Sequence, residues 1–185
     1  MTRIVAGLAG GRRIDVPPGR STRPTSDRAR EALFSAVGAM LDLAGANVLD
    51  LYAGSGAVGF EALSRGAGHV LLVESDPKAV RTLRANAKAL GLPGAEVQPG
   101  PVERLAASAA SAAYHLVFAD PPYALPAEEL QGVLAGLESH GWLGSDALVV
   151  VERATRDVPW VWPKPLVAVR ERRYGEGTLW YGRRS

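Results

Sequence analysis

Four consecutive residues, Asp120-Pro121-Pro122-Tyr123, could orient an amine for reaction. They follow the run Tyr114-His115-Leu116-Val117-Phe118-Ala119, which is apolar except for its histidine and is typical of a strand buried on both faces. Proline has no N–H to give to a sheet ladder, so the chain leaves the sheet there. The Asp120 carboxylate and the Pro121 carbonyl could accept the N–H groups of an exocyclic amine, and the Tyr123 ring could stack on a planar base. We predict that Asp120, Pro121, Pro122 and Tyr123 form a catalytic group at a strand end, where open α/β sheets bind ligands.

A second stretch, Asp50-Leu51-Tyr52-Ala53-Gly54-Ser55-Gly56-Ala57-Val58-Gly59, joins a predicted strand to a predicted helix. Its glycines have the spacing G-x-G-x-x-G, which permits a sharp turn and lets the backbone approach a ligand closely. The N-terminal amides of the following helix point into the same space. Glu74 ends the next predicted strand, and an acid there can accept hydrogen bonds from both hydroxyls of a ribose. These features predict a nucleotide-like cofactor.

The glycine motif alone is compatible with a dinucleotide, with S-adenosylmethionine, or with a tight turn that binds nothing. A dinucleotide needs a second mononucleotide-binding half, but the turn after the fourth predicted strand carries Asp-Pro-Pro-Tyr and no glycines. Asp50 lies inside the first strand, where its carboxylate could hold the cationic amino-acid end of S-adenosylmethionine. We therefore favour S-adenosylmethionine. The residues predicted to bind it are Asp50, Tyr52, Ala53, Gly54, Ser55, Gly56, Glu74, Ser75 and Asp120.

Strands that alternate with helices position both stretches. Strands are predicted at residues 48–53, 69–74, 95–98, 114–119 and 147–152, and helices at 57–65, 77–90, 102–112 and 128–139. This alternation predicts a parallel, doubly wound sheet with helices on both faces. Before it, we predict a β-hairpin from residues 3–6 and 12–16 and a helix from Thr25 or Asp27 to about Asp42. After it, residues 167–173 and 177–181 are predicted to form an antiparallel pair.

Length and composition limit the class of protein. A chain of 185 residues is predicted to form a single domain, with residues 1–24 as an N-terminal hairpin and basic loop and residues 25–185 as a helix and catalytic core. The sequence has no cysteine, which excludes disulfides and thiolate catalysis. It has no long apolar run or signal peptide, so we expect a cytoplasmic protein that does not contact the membrane. The isolated histidines predict no metal site.

Positive charge is concentrated at the two ends of the chain. Residues 1–30 contain seven arginines against two aspartates, and residues 170–185 contain five arginines against two glutamates. Between them, residues 31–169 carry nine basic and fifteen acidic groups. Arginine binds phosphate with two N–H groups and stacks on bases, so this distribution favours a nucleic-acid partner. A solvated basic face combined with a G/C-rich coding bias would give a similar composition.

Together these residues resemble the Rossmann-like, S-adenosylmethionine-dependent methyltransferases that act on amino groups. Arg3-Ile4-Val5-Ala6-Gly7 and the segment Thr22-Arg23-Pro24-Thr25-Ser26-Asp27-Arg28-Ala29-Arg30-Glu31-Ala32-Leu33-Phe34 are closely similar to the bacterial 16S rRNA guanine-N2 methyltransferase family, RsmD type. The similarity covers essentially the whole chain. It implies a seven-stranded, mostly parallel sheet of order 3-2-1-4-5-7-6 with strand 7 antiparallel. It also implies methylation of one guanine N2 of 16S rRNA, in the small ribosomal subunit or its assembly intermediate.

The resemblance gives the arginines a predicted role in binding RNA. Contacts are predicted for Arg12, Arg23, Arg28 and Tyr123, and Arg13, Arg20 and Arg30 would complete the RNA path. Many relatives carry an acid just after the third strand, near the adenine of the cofactor. This chain has Pro99-Gly100-Pro101-Val102 there, so we predict no side-chain contact from this loop. We expect a monomer.

Two other classes of protein remain open. A DNA adenine-N6 methyltransferase normally needs a target-recognition domain, and no stretch of this chain is spare for one. An RNA-binding assembly factor could hold S-adenosylmethionine without turnover, but the intact Asp120-Pro121-Pro122-Tyr123 argues against it.

Overall fold

The computed structural model describes residues 2–18 and 27–185, which contain nine strands and five helices. The strands are β1 (Thr2–Arg3), β2 (Arg13–Ile14), β3 (Asn47–Leu51), β4 (His69–Glu74), β5 (Ala95–Pro99), β6 (Tyr114–Ala119), β7 (Leu143–Ala154), β8 (Leu166–Tyr174) and β9 (Gly177–Arg184). The helices are α1 (Asp27–Met40), α2 (Ala57–Ser64), α3 (Pro77–Leu90), α4 (Val102–Ala106) and α5 (Ala127–Ser139). Within these two ranges, no helix has the length and apolar character needed to cross a membrane.

Seven strands form one sheet in the order β5-β4-β3-β6-β7-β9-β8. The strands β3 to β7 are parallel, because a helix returns the chain to the same edge between successive strands. The short turn between β8 and β9 makes β9 antiparallel to β8, and it is also antiparallel to β7. Counted along the chain from β3, this is the predicted order 3-2-1-4-5-7-6 with strand 7 antiparallel.

Alternate residues of the central strands pack on opposite faces of the sheet. Val48 and Phe118 belong to an apolar cluster that includes residues of α1, α2 and α3. Leu49 and Val117 belong to a second cluster with residues of α4 and α5. Burial on both faces explains why these strands are nearly continuous apolar runs in the sequence.

The predicted N-terminal hairpin is present, with shorter strands than expected. Thr2 pairs with Ile14 and Arg3 with Arg13. Beyond Ile4 the amides turn away from the partner strand: Val5 N–H and Ala6 N–H donate to the Glu61 carboxylate of α2, at 2.8 and 3.0 Å. The ladder is short because part of the hairpin is bound to α2 instead.

Two other elements differ from prediction. The helix predicted at 102–112 ends at Ala106. The backbone just beyond it is used by the loop before β7, since the Trp142 indole N–H donates to the Ser108 carbonyl at 2.8 Å and Ala110 N–H to the His140 carbonyl at 3.0 Å. The strand predicted at 147–152 is β7, which is longer than predicted because it also includes residues 143–146 and 153–154. Thr25, one of the two predicted caps of α1, lies outside the described residues.

Candidate active site

Three carboxylates meet at one edge of the sheet. Asp50, Glu74 and Asp120 lie at or just beyond the carboxyl ends of β3, β4 and β6, and β3 pairs with both other strands. Burial raises the pKa of the Asp50 carboxyl well above its usual range, and the negative charges of Asp120 and Glu74 raise it further. The Gly59 amide opposes this by donating a hydrogen bond to the charged form. A buried anion among other anions provides a favourable position for a cationic ligand group.

The loop between β3 and α2 has a backbone that few side chains permit. Tyr52, Gly54 and Gly56 have φ values of 57°, 59° and 83°, all in the left-handed region. A Cβ atom on Gly56 would also lie 2.4 Å from the Phe60 ring, so that position requires glycine. Tyr52 holds this conformation without being glycine, which marks the loop as a strained segment. Strain of this kind is concentrated at ligand sites.

Asp50 and Gly59 fix the helix that follows this loop. Gly59 N–H donates to Asp50 Oδ2 at 3.0 Å. A Cβ atom on Gly59 would lie 2.7 Å from the Leu72 side chain, so α2 packs directly against β4. The last glycine of the motif therefore serves helix–strand packing. The contact also holds the Asp50 carboxylate beneath the loop.

The Glu74 carboxylate connects two backbone turns. Oε1 accepts from Gly54 N–H at 2.9 Å, and Oε2 accepts from Ser75 N–H and Asp76 N–H at 3.1 and 3.0 Å. Asp76 in turn caps α3 by accepting from Lys78 N–H at 3.0 Å. The acid predicted to hold a ribose thus also aligns the glycine loop with the start of α3.

Asp120-Pro121-Pro122-Tyr123 leaves β6 beside this loop. Asp120 and Tyr123 are half-buried, Pro121 is buried and Pro122 is exposed. The Pro122 carbonyl accepts from Leu125 N–H at 3.0 Å, which closes a tight turn. Among the hydrogen bonds of the described residues, none ends on the Pro121 carbonyl. The carboxylate and carbonyl predicted to orient an amine lie at the same edge of the sheet as the glycine loop.

The side chain of Tyr52 lies on the face of the sheet that α4 and α5 cover. It packs against the cluster under α4 and α5 and borders a groove of about 490 Å³ between those helices. Burial, together with the nearby charge of Glu103, raises the pKa of the Tyr52 phenol to about 12. Tyr52 therefore contributes its strained backbone to the glycine loop, while its ring faces this groove.

Residues 2–183 match the protein family described as Conserved hypothetical protein 95. Ribosomal RNA small subunit methyltransferase D of Escherichia coli K12 is 37% identical over 150 residues, which are 81% of this chain and 73% of that protein. The Haemophilus influenzae protein of the same name is 32% identical over 176 residues, or 94% and 89% of the two chains. The chain belongs to this methyltransferase family. The resemblance to the RsmD-type family that the sequence predicted is confirmed.

The family fold is confirmed by a solved structure. The Escherichia coli protein yhhF superposes with a TM-score of 0.85 and 32% identity, covering 100% of this chain and 98% of that one. Together with the sheet order, this identifies the fold as the Rossmann-like methyltransferase fold, with the small antiparallel hairpin as a separate addition.

The arginines predicted to bind RNA do not all lie near the site of this family member. Arg12 donates to the carbonyls of Ala89 and Leu90, at 2.5 and 3.0 Å, and so caps the C-terminus of α3. Because α3 begins at the carboxyl end of β4, this places Arg12 toward the opposite edge of the sheet. Arg28 is exposed on the first turn of α1. Arg20 and Arg23 lie outside the described residues.

The prediction that Arg30 lines an RNA path is wrong. Its side chain is 0% exposed and pairs with Glu61 Oε1 at 3.1 Å and with Asp27 Oδ1 at 3.3 Å. It also donates to the Arg3 carbonyl. Arg30 therefore anchors the hairpin to α1 and α2, and a buried guanidinium of this kind cannot meet a phosphate.

Two positioning residues were missed in the sequence. Asn86 is buried on α3; its Oδ1 accepts from Asp15 N–H, and its Nδ2 donates to the carbonyls of Asp15 and Ser55, each at 2.9 Å. Glu61 is a buried acid in the otherwise apolar helix α2. A lone carboxylate in such a helix was a usable signal for Glu61, whereas an asparagine in a polar helix gave none.

Residues of β7 and of the β8–β9 turn contact the segment that follows β6. Arg153 Nη2 donates to the Leu125 carbonyl at 2.7 Å. The Tyr123 hydroxyl donates to the Glu176 carbonyl at 3.3 Å. Glu152 and Arg153, the polar residues just before the end of β7, were a signal that this strand ends near the segment that follows β6. Nothing in the sequence indicated that the β8–β9 turn reaches Tyr123.

Proposed function

We propose that this protein transfers a methyl group from S-adenosylmethionine to the exocyclic N2 of a guanine in small-subunit ribosomal RNA. One observation carries the proposal: Asp120-Pro121-Pro122-Tyr123 lies at the same sheet edge as the strained glycine loop and the buried Asp50 and Glu74. The names of the family members in Escherichia coli and Haemophilus influenzae support ribosomal RNA as the substrate. The choice of guanine N2 rests on the resemblance to the guanine-N2 methyltransferase family, since the acceptor pair in the turn would suit any exocyclic amine.

The described residues fit S-adenosylmethionine. The loop at Gly54 and Gly56 allows close backbone approach, and the buried Asp50 favours a neighbouring cation. Asp50 would hold the amino-acid end, Glu74 and Ser75 would face the ribose, and the backbone of residues 52–56 would line the ligand between them. When bound, the cofactor supplies an electrophilic methyl group on a sulfonium. Glu74 would have to share its oxygens between the ribose and the amides of Gly54 and Ser75.

The turn would act on the acceptor amine by holding it in place. The lone pair of a guanine amine is delocalised into the ring, so the amine reacts only when that lone pair is aimed at the methyl group. The Asp120 carboxylate and the Pro121 carbonyl accept its two N–H groups, and Tyr123 stacks on the base. Positive charge that develops on the nitrogen is stabilised by the Asp120 carboxylate. The proton then leaves to Asp120 or to water.

Nucleoside analysis tests this proposal. Small-subunit particles and naked 16S rRNA from a strain that lacks the gene are incubated with the purified protein and labelled S-adenosylmethionine. We expect label only in N2-methylguanosine. Label in N6-methyladenosine would assign the protein to the adenine class, and S-adenosylhomocysteine binding without any transfer would indicate a non-catalytic assembly factor.

A further inference from the structure

Arg156 lies against the aromatic residue of the catalytic turn. Its guanidinium carbon is 5.6 Å from the centroid of the Tyr123 ring. The side chain is exposed, and Arg156 is the second residue after the carboxyl end of β7. A guanidinium over an aromatic face is held there by the ring quadrupole, which limits the orientations of both groups. Arg156 therefore belongs to the surroundings of Tyr123.

The same segment also holds the edge of the ring. The Glu176 carbonyl accepts both from the Tyr123 hydroxyl at 3.3 Å and from Thr155 N–H at 2.7 Å. Thr155, whose N–H binds the Glu176 carbonyl, is followed directly by Arg156, whose guanidinium lies over the Tyr123 ring. Consecutive residues are therefore connected to both the hydroxyl and the face of Tyr123. The position of Tyr123 is therefore set by Arg156 and Glu176 as well as by its own turn.

The positive charge of Arg156 is available to a ligand. Its sequence neighbour Asp157 faces Arg153, with 4.0 Å between Oδ2 and Nη2. Across the part of the chain that the structure describes, Arg156 forms no ion pair. Stacking on a ring leaves the N–H groups at the rim of a guanidinium able to donate, and arginine matches the geometry of phosphate oxygens.

We propose that Arg156 is a substrate-contacting residue that stacks on Tyr123 and donates to a phosphate of the target nucleotide. The inference rests on the proposed function, since it requires a base held by Tyr123. A nucleotide whose base stacks near Tyr123 carries its phosphate close to that base, within reach of a long side chain that projects from the same place. The contact is independent of sequence and positions the target strand.

Three variants test this. Arg156→Ala removes stacking and charge, and Arg156→Lys keeps the charge without the planar group. Arg170→Ala is the matched control, because its exposed guanidinium lies 5.9 Å over the Tyr181 ring elsewhere in the tail. For Arg156→Ala we expect kcat/KM for the RNA substrate to fall about tenfold or more. We also expect the plot of log kcat/KM against log salt to become shallower by about 0.7 to 1, the value of one phosphate contact.

The other readouts separate this role from a structural one. S-adenosylhomocysteine affinity and Tm should stay at wild-type values in all three variants, and Arg156→Lys should keep the wild-type salt slope. Equal kcat/KM in Arg156→Ala and Arg170→Ala, or a loss with an unchanged salt slope, would overturn the phosphate contact while leaving the proposed function intact. Absence of RNA methylation by the wild-type protein would overturn both.

Discussion

Asp50 carries a cost in the free protein that a cationic ligand would remove. Its carboxyl is buried, and its pKa is raised well above the usual range. A raised pKa means that the folded state binds this proton more tightly than the unfolded state does. The resulting stability is present below the ordinary aspartate pKa and is lost as the pH rises through the raised value. The native protein should thus lose stability as the pH rises above the ordinary aspartate pKa, because its fold disfavours the charged form of this carboxyl.

The variant Asp50→Asn separates these two effects. Its amide oxygen can still accept from Gly59 N–H, but no charge is buried. We expect a higher Tm at pH 8, a smaller loss of stability between pH 5 and pH 8, and S-adenosylmethionine affinity lowered about tenfold or more because a charged partner is lost. Thermal unfolding across pH and calorimetry with the cofactor measure the outcomes. Unchanged cofactor affinity would remove Asp50 from the ligand site.

Asp120 should affect transfer more than cofactor binding. In Asp120→Ala the amine loses one of two acceptors, and we expect kcat to fall about 10²- to 10³-fold, by analogy with the loss of one preorganised hydrogen-bond partner. Asp120→Asn keeps an oxygen without the charge and should fall between this variant and the wild type. Single-turnover methylation and S-adenosylhomocysteine calorimetry make the comparison. Equal loss of transfer and of affinity would assign Asp120 to the cofactor site instead.

At the scale of elements, one carboxylate accepts several of the hydrogen bonds that hold the hairpin against the core. Glu61 accepts from Val5 N–H, Ala6 N–H, Arg30 Nε and Arg65 Nε, at distances between 2.8 and 3.1 Å. All of these bonds are buried or partly buried, so each is weakly screened by solvent. The helix α2, which follows the glycine loop, therefore also supports the N-terminal segment.

Glu61→Ala should be strongly destabilising. It leaves the guanidinium of Arg30 buried without its main partner, which costs about 3–5 kcal/mol. Glu31→Ala is the control: it removes another partner of Arg65, at 3.0 Å, but the Glu31 side chain is 54% exposed, so less than about 1 kcal/mol is expected. Urea unfolding compares the two. Similar losses in both variants would show that Glu61 does not hold the hairpin.

The elements of the sheet could be predicted because their signals are local. The apolar runs of β4 and β6 and the proline that begins α3 are all visible within a few residues, and their bounds match the sequence expectation. The glycine loop and Asp120-Pro121-Pro122-Tyr123 are also continuous in sequence. Other features depend on partners far away in the chain. The burial of Arg30 depends on Glu61, and the hold on Tyr123 depends on Glu176, 53 residues later.

At the scale of the whole molecule, the N-terminal segment is part of the core. Ile4, Ala9 and Ile14 are buried in the same apolar cluster as α1, α2 and α3. The predicted division into residues 1–24 and 25–185 therefore separates residues that pack in one core. A test of RNA binding by deletion would therefore disturb the fold as well as the substrate path.

Substitution of arginines in the segment before α1 avoids that problem. We expect the double variant Arg20→Ala with Arg23→Ala to keep the wild-type Tm and S-adenosylhomocysteine affinity while RNA methylation falls and its salt dependence weakens. Deletion of residues 1–25 should instead lower the Tm and abolish both S-adenosylhomocysteine binding and RNA methylation, because apolar surface of α2 becomes exposed. Unfolding curves, calorimetry and methylation at several salt concentrations distinguish the two. Unchanged methylation in the double variant would exclude these arginines from the RNA path.

The three hydrogen bonds of Asn86 have a consequence for the order of events. The Asn86 amide connects Asp15, at the base of the hairpin, to Ser55, in the glycine loop proposed to bind the cofactor. If RNA shifts the hairpin base, the hydrogen bonds of Asn86 connect that change to the loop. Thermodynamic reciprocity then requires that a bound cofactor alter the affinity for RNA by the same factor as RNA alters the affinity for cofactor. Transfer of the methyl group would thereby help to decide whether the methylated RNA or S-adenosylhomocysteine dissociates first.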